Sequence, residues 1–450
     1  MPGVFQRKTM SNQRQKVWLP LLILFSINTM NFYDRGIIAA VTEPIRKEWQ
    51  LSDTAMGALG TAFIILYAII GVPLGRLSDK AARVRILSIC TAIWSVMTAA
   101  SGIAWNYGSL AAARLGVGIG EAGCSPAANS LLGDLFPARR RARAISIFML
   151  GLPVGTLLNF MLSGRIAQSY GWRAAFYVAC LPGLVIAVLA LLIREPERGA
   201  AETYKTPTAM PVESPYRRVL GIPTLWWIII SGALHNFNMY ALNSFVPAFL
   251  MRHHGTNLAR AGLVTSLVLG ASGIPGLLIG GWLADHLGKD RKNGRLMLGA
   301  LAMLLAAPFM YLSLGVGKGA VTNFALLMGA GMVLMFFYYA TVYAVVQDVV
   351  EPQLRGTAMA LYFFAMYLLG GALGPVGTGK LSDSLAGMAA ASSGVGVVNE
   401  YYKAVGLHSA MYIIPMLMLL LCVVLFAASR TVAEDMRRLH KRMTNPVVAD

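Results

Sequence analysis

The sequence predicts an all-α membrane protein, with twelve transmembrane helices in two six-helix halves. Three observations lead there. Of 450 residues, 56% are hydrophobic and only 13% are charged, and the mean hydropathy is +0.61, a balance that soluble globular domains do not keep. The apolar residues gather into successive runs of about 20 or more, the length an α-helix needs to cross a hydrocarbon core of about 30 Å. The basic residues fall on alternate loops. The runs lie at 17–41, 54–76, 85–105, 108–133, 143–166, 172–194, 223–251, 259–284, 295–315, 321–347, 356–380 and 404–429. They divide the chain into an N-terminal half at 1–194, a linker at 195–222, a C-terminal half at 223–430 and a tail at 431–450.

A net charge of +18 is also the mark of nucleic-acid binding, so the position of the cations decides its meaning. Arg7, Lys8, Arg14 and Lys16 precede the first run, Arg76, Lys80, Arg83 and Arg85 follow the second, and Arg139, Arg140, Arg141 and Arg143 follow the fourth. The sixth, eighth and twelfth runs are followed by similar clusters, and the loops between are poor in Lys and Arg. This asymmetry predicts that both termini and the linker are cytoplasmic and removes the case for nucleic acid. The first run is too long for a signal-peptide core and is expected to remain as a helix. Cys90, Cys124, Cys180 and Cys422 each stand in an apolar run without paired spacing and read as packing residues. No histidine spacing suits a metal; His253 and His254 are adjacent in a loop and point different ways on any regular element. Neither a metal nor a cofactor is expected.

Within the first run, Asn28, Asn31, Tyr33, Asp34 and Arg35 occupy the outer half. Counted back from Val41 at 1.5 Å per residue, Asp34 lies roughly 10 Å below the outer surface. Arg35 is turned about 100° from Asp34 on the helix wheel, where snorkelling to the outer interface competes with a role in function. The fourth run contains Arg114-Leu-Gly-Val-Gly-Ile-Gly-Glu121. Arg114 and Glu121 are two turns apart, share a face at roughly 10 Å along the axis, and enclose three glycines that predict packing against protein rather than lipid. Arg114 reaches the depth of Asp34, which makes a pair between them geometrically feasible, while Glu121 sits nearer the midplane. Ionisable groups at such depth normally face a bundle interior or a water path. An inert ion pair fastening two helices is the alternative.

After the second run comes Gly75-Arg-Leu-Ser-Asp-Lys-Ala-Ala-Arg-Val-Arg85. It resembles the signature loop of the major facilitator superfamily, Gly-x-Leu-x-Asp-Arg/Lys-x-Gly-Arg-x-Arg/Lys, matching at Gly75, Leu77, Asp79, Lys80, Arg83 and Arg85 and departing at Ala82, where the family has glycine. A weaker copy, Gly281-Trp-Leu-Ala-Asp285-His-Leu-Gly288, follows the eighth run, the equivalent place in the second half. Parallel repeats of six spans place such copies there. The resemblance implies the major facilitator fold and a cytoplasmic gate involving Gly75, Asp79, Arg83, Arg85 and Asp285, with Asp79 accepting hydrogen bonds and the cations pairing with carboxylates or helix C-termini.

Arg114-x-x-x-Gly118, Asn31-Phe-Tyr-Asp34-Arg35 and Gly120-Glu-Ala122 narrow the match. The chain resembles a bacterial member of the Spinster-like branch, which implies a cell-membrane transporter, proton-coupled, acting on lysolipid-like or sphingoid-like substrates. Organic-acid/proton symporters of the same superfamily share an Asn-x-x-Asp-Arg in the first helix, so a small organic anion stands as the alternative substrate.

The second half differs in chemistry. Its seventh run carries His235, Asn236, Asn238, Tyr240, Asn243 and Ser244, the tenth Phe336-Phe-Tyr-Tyr339 and Tyr343, and the eleventh Tyr362-Phe-Phe364 and Tyr367. With Asn31 and Tyr33, the residues His235, Asn238, Tyr240, Asn243, Tyr339, Tyr343 and Tyr367 form the expected substrate cavity. Aromatic runs in membrane helices also serve as packing or interfacial anchors. One half supplies charge and the other a mostly apolar wall with scattered hydrogen-bonding groups, which suits an amphipathic molecule better than a sugar.

A secondary transporter, a monomer rocking around a central site, is the expected activity. No Gly-x-x-x-x-Gly-Lys-Ser/Thr is present to bind ATP. Neither His-Glu-x-x-His nor Gly-x-Ser-x-Gly is present, so an enzyme is not expected. A sensor built on a transporter body would require an appended soluble domain, and the tails are short for one. Proton coupling is assigned to Asp34, Arg114 and Glu121. When Arg114 is drawn to Asp34 or to an anionic substrate group, Glu121 loses its counter-charge and takes a proton.

Overall fold

A computed structural model describes residues 3–136, 144–145, 147–197, 215–351, 354–395 and 397–444. Most of the linker and the basic stretch Arg139–Arg143 lie outside the described residues. Every regular element among those described is helical. In chain order they are α1 (Gly3–Ala40), α2 (Thr42–Glu48), α3 (Asp53–Lys80), α4 (Arg83–Ile103), α5 (Tyr107–Ala122), α6 (Cys124–Leu135), α7 (Gly151–Tyr170), α8 (Trp172–Ala190), α9 (Pro215–Leu220) and α10 (Pro223–Arg252). The rest are α11 (Leu258–Thr265), a π-helical turn π1 (Ser266–Ala271), α12 (Gly273–Asp290), α13 (Gly294–Leu314), α14 (Val321–Asp348), α15 (Arg355–Ala365), a second turn π2 (Met366–Gly371), α16 (Leu373–Ser392), α17 (Glu400–Met411) and α18 (Ile413–Thr444).

Each apolar run falls on a helix or on consecutive helical segments. Among the described residues nine helical stretches are long and apolar enough to cross a membrane; the first, fourth and seventh runs fall short. The first and seventh are diluted by their polar side chains. The fourth is interrupted at Gly123, which ends α5 and starts α6. Its start is firm, because Asn106 and Ser109 form a reciprocal capping box that satisfies orphan donors of the first turn.

The chain folds as two compact units, Met1–Val41 with Ala62–Pro207, and Thr42–Thr61 with Thr208–Asp450. The turn of the first helical hairpin, Thr42–Thr61, therefore groups with the second unit although it lies in the first half of the sequence. In the first unit α1 packs along α7, and α4 packs along α5 and α8. The glycine face of α5 meets protein. A Cβ on Gly120 would lie 2.7 Å from the Trp94 backbone nitrogen and 3.0 Å from the Cys90 carbonyl, so α4 and α5 touch backbone to backbone. Ala82 adopts φ −68° and ψ 113°, open to any residue, and the loop closes without the family's glycine. All four cysteines are free, yet Cys90 and Cys124 do not stand apart as their spacing suggests; their thiols face each other across α4 and α6.

In the second unit α13 packs against α14 and α18, and α12 against α14. Its eighth and eleventh runs share a device that periodicity does not announce. The motif Leu-Gly-x-x-x-x-Pro occurs at 269–275 and at 369–375, each time across a π-turn. Ser272 donates to the Leu267 carbonyl at 3.2 Å and Ala372 to the Tyr367 carbonyl at 2.8 Å, both five residues back. Pro275 and Pro375 follow. A proline inside a helix clashes with the carbonyl four residues earlier, and in both runs the proline falls four residues beyond the last residue of the π-turn, in the first turn of the α-helix that resumes there.

At π2 the chain runs hard against α10. A Cβ on Gly370 would stand 2.2 Å from the Ala233 carbonyl oxygen, a backbone atom, and 2.9 Å from the Asn236 Cβ. Gly370→Ala is expected to destabilise the purified protein by about 1–3 kcal/mol, read as a lowered melting temperature. Gly281→Ala, where nothing lies within 4 Å, is the control, and an unchanged Gly370→Ala would deny the close approach.

Candidate functional site

The first unit buries two cations and two carboxylates together. Asp34 and Glu121 are fully buried and Arg114 is 3% exposed. Arg35 does not snorkel. Its side chain is 12% exposed and its Nε donates to Glu121 Oε2 at 2.6 Å. Its guanidinium lies 4.4 Å from the Tyr67 ring centroid and 5.2 Å from that of Phe32, cation–π contacts that hold a desolvated arginine in place. Asn31 also faces Glu121.

Arg114 does not make the feasible pair with the Asp34 carboxylate. Its Nη2 donates to the Asp34 backbone carbonyl at 3.3 Å, not to the carboxylate. Its other terminal nitrogen has no hydrogen-bond partner among the described residues, nor has either Asp34 carboxylate oxygen. Trp94 and Thr98 face that carboxylate. The ion pair expected of Arg114 is thus made by Arg35, because the wheel offset that separates Arg35 from Asp34 turns it toward α5 instead of toward the surface. Tyr33 reaches α7. Its hydroxyl lies 3.2 Å from the Ser163 hydroxyl, which is itself 3.0 Å from Asn159 Oδ1, and this makes Tyr33 part of the α1–α7 contact.

Beside the signature loop, Gly75 and Arg83 are described, while the side chains of Asp79 and Asp285 lie outside the described residues. Gly75 packs near Pro126. Arg83 is 1% exposed and ion-pairs with Asp134 and with Glu195, the latter at 2.7 Å; it also donates to the Ser130 and Pro196 carbonyls. Arg85 is exposed on the opposite side of the same turn. The second unit repeats the arrangement. Arg295, at the start of α13, pairs with Asp348, at the end of α14, as Arg83 at the start of α4 pairs with Asp134 at the end of α6. The motif does not single out Asp134, Arg295 or Asp348; counted from Gly281 as Arg83 is from Gly75, the second copy leads to Lys289 instead.

In the second unit the aromatic residues sort into two kinds. Phe336 and Phe337 are packing residues, filling the space left by Gly273, Gly276 and Gly280 of α12. Tyr338 is buried, with its hydroxyl 2.8 Å from Ser231 and 3.1 Å from Tyr362. The half-buried rings make a row: Tyr339 meets Tyr343 at 5.5 Å, Tyr343 meets Phe363 at 5.5 Å, Phe363 meets Tyr367 at 6.5 Å, and Tyr367 meets Tyr240 at 6.4 Å between centroids. π2 carries Tyr367 into this row. His235 is fully buried, stacked on Tyr338 at 4.0 Å and edge-on to Tyr339 at 4.9 Å. Neither of its ring nitrogens, nor either amide atom of buried Asn238 one turn further on, has a hydrogen-bond partner among the described residues. Asn243 is half-buried on the same helix.

One constellation has no counterpart in the sequence patterns. Arg252, at the end of α10 and 4% exposed, donates to Glu43 at 2.8 Å and reaches both oxygens of Asp53 at 2.6 and 2.7 Å. Arg46 pairs with Glu43 at 3.1 Å and with Glu400 at 2.5 Å. Asp383 of α16 caps α3, accepting from the backbone of Asp53 at 3.1 Å and of Thr54 at 2.8 Å, a carboxylate against the positive end of a helix. These residues come from four separate parts of the chain, and no local spacing links them. Nearby, His253 and His254 do not diverge. Their rings meet edge-on at 5.0 Å and His408 stacks on His253 at 4.3 Å. Burial, with His408 and His254 beside it, lowers the His253 pKa to about 4, so this imidazole is neutral near pH 7.

The family model of the Major Facilitator Superfamily matches residues 24–375. Among characterised relatives, an MFS-type efflux pump of Mycolicibacterium smegmatis is 32% identical, the match covering 82% of this chain and 86% of that protein. Human protein spinster homolog 1 is 29% identical over 82% of this chain and 73% of its own length. Among solved structures, a bacterial homologue of the human lysosomal transporter Spinster, in an inward-facing and unoccupied conformation, superposes with a TM-score of 0.83 at 28% identity, covering 93% of this chain and 98% of that one. A D-xylose–proton symporter, 16% identical with a TM-score of 0.66, shares the fold. With the repeated signature loop, the all-helical architecture and a family match over most of its length, the chain belongs to the Major Facilitator Superfamily and is an integral membrane transporter similar to the Spinster homologues.

Proposed function

We propose that the protein is a proton-coupled secondary transporter that moves an amphipathic, lysolipid-like or sphingoid-like molecule by alternating access, from a bacterial inner membrane with both termini cytoplasmic. The observation that carries the reading is the buried set Asp34, Arg35, Arg114 and Glu121, in which Glu121 is ion-paired by Arg35 while the Asp34 carboxylate has no ion pair among the described residues and is faced by Trp94 and Thr98. Such a group is costly to hold at membrane depth unless it exchanges protons or partners. Arg35 joins the coupling set as the partner of Glu121, and Arg114 is the cation free to exchange between Asp34 and an incoming anionic group. For the substrate, the second unit supplies the ring row of Tyr240, Tyr339, Tyr343 and Tyr367, together with Asn238, Asn243 and His235; Asn31 contributes from α1. The cytoplasmic gate is assigned to Gly75, Asp79, Arg83, Arg85 and Asp285. Superfamily relatives include an efflux pump and a proton symporter, which supports coupled transport as a class.

The uncommitted Arg114 Nη1 favours a second reading, a small organic anion, since a buried guanidinium is a ready partner for a carboxylate or phosphate. Proton flux into proteoliposomes under a substrate gradient tests the coupling assignment. Glu121→Gln and Asp34→Asn are expected to abolish substrate-dependent proton flux while retaining ligand binding. Wild-type flux in both variants would overturn the assignment. Substrate series then separate the two readings: apparent affinity rising with acyl length, by a factor of a few per methylene, favours the amphipathic molecule, and no length dependence favours the organic anion.

A further inference from the structure

Where α9 meets the start of α10, the second unit presents an open groove of about 450 Å³ lined by Leu220, Gly221, Pro223, Trp226, Trp227 and Ile230. Its walls are ordered by the fold. Trp226 Nε1 donates to the Leu220 carbonyl at 2.8 Å, which pins the indole across the corner, and Pro223 opens α10 at the first helical position. Trp226 remains 51% exposed and Ile230 44%, so one helical turn of apolar side chains continues away from the corner along α10. Tryptophans at the end of a membrane helix mark the headgroup level.

The six residues of α9 place a cation on the rim. Arg217 precedes Leu220 by three positions and Gly221 by four, which puts all three on one helix face, and Gly221 donates to the Arg217 carbonyl at 3.0 Å. Arg217 is exposed and forms no ion pair among the described residues. Its neighbour Arg218 is engaged by Glu351 at 3.4 Å. An arginine with no counter-charge among the described residues therefore stands beside an apolar channel at headgroup depth.

We propose that this corner is a binding site for an anionic phospholipid of the surrounding membrane, with an acyl chain along Trp226 and Ile230 and the phosphate on Arg217. Charge complementarity selects the occupant: a guanidinium donates two parallel hydrogen bonds to a phosphate, whereas a zwitterionic headgroup brings its own cation to the same place. The site is separate from the coupling residues and from the ring row, and it does not depend on what the protein carries.

Native mass spectrometry of the full-length protein, exchanged with phosphatidylglycerol or phosphatidylcholine of identical chains, tests it. Phosphatidylglycerol is expected to be retained about fivefold better, the effect of one interfacial cation on an anionic lipid. Arg217→Gln, at an exposed position that does not endanger folding, should abolish the preference; Trp226→Ala should weaken both lipids; Arg260→Gln, an exposed arginine on α11, should change nothing. Equal retention of the two lipids by the wild type, or a preference that survives Arg217→Gln, would overturn the site. Displacement by a lysolipid at concentrations where intact phosphatidylglycerol fails to compete would also overturn it, making the groove a route for cargo.

Discussion

Arg252→Ala is expected to destabilise the second unit by about 3–5 kcal/mol, the cost of leaving buried charge without its partner. The arginine serves two carboxylates at once: Glu43, 1% exposed, and Asp53, 3% exposed. Arg46 stays beside Glu43 after the substitution, so the larger share of the loss falls on Asp53, which keeps the Ser382 hydrogen bond at 2.8 Å and the more distant charge of Arg46. The connection between Thr42–Thr61 and the rest of the second unit weakens with it. Thermal unfolding of the purified protein reads the first effect, and thiol labelling of a cysteine placed in the exposed turn near Gln50 reads the second. Arg252→Lys is expected to fall between, since an ammonium keeps the charge and loses the planar two-pronged contact with Asp53. An alanine variant with wild-type melting and labelling would show that the network is decoration.

Arg35→Ala is expected to be the most damaging single change in the first unit, worse than Arg114→Ala. It removes the ion-pair partner of a fully buried glutamate and uncovers the rings that hold the guanidinium, again with a cost of about 3–5 kcal/mol. Substrate-driven proton flux should be lost as well. The double variant Arg35→Ala/Glu121→Gln separates the two consequences. Removing both charges eliminates the orphaned carboxylate, so stability is expected to recover by more than half while coupled flux stays absent; such non-additivity is the signature of a direct pair. If the double variant is as unstable as the sum of the singles, Arg35 and Glu121 do not act on each other.

These two arginines show where sequence reasoning stops. Arg114 is conspicuous because it interrupts an apolar run and shares a face with Glu121 at a spacing that the helix repeat makes legible. Arg35 sits next to Asp34, and helix geometry alone leaves it two destinations, the water above or the neighbouring helix. Only the positions of Phe32, Phe63 and Tyr67 close the first. Arg252 is harder still. It lies at the end of an apolar run, where a basic residue is ordinary, and its partners are in segments far away in the chain. The aromatic residues are visible as runs, but whether Phe336 packs or Tyr339 lines a row depends on which side of α14 meets the glycines of α12.

The membrane class, the order of the apolar runs, the duplicated loop, and the presence of buried charge in the first and fourth runs are all legible in the linear chain. Each of these follows from a local quantity: hydropathy over about 20 residues, a motif, or a helical repeat of 3.6. Packing in three dimensions settles which buried charge meets which, where Thr42–Thr61 belongs, how the prolines of the eighth and eleventh runs are accommodated, and which aromatic rings face the packing and which the row. Ion pairs and ring contacts are set at distances of a few ångströms between atoms remote in sequence, and a linear pattern bounds them without choosing among them.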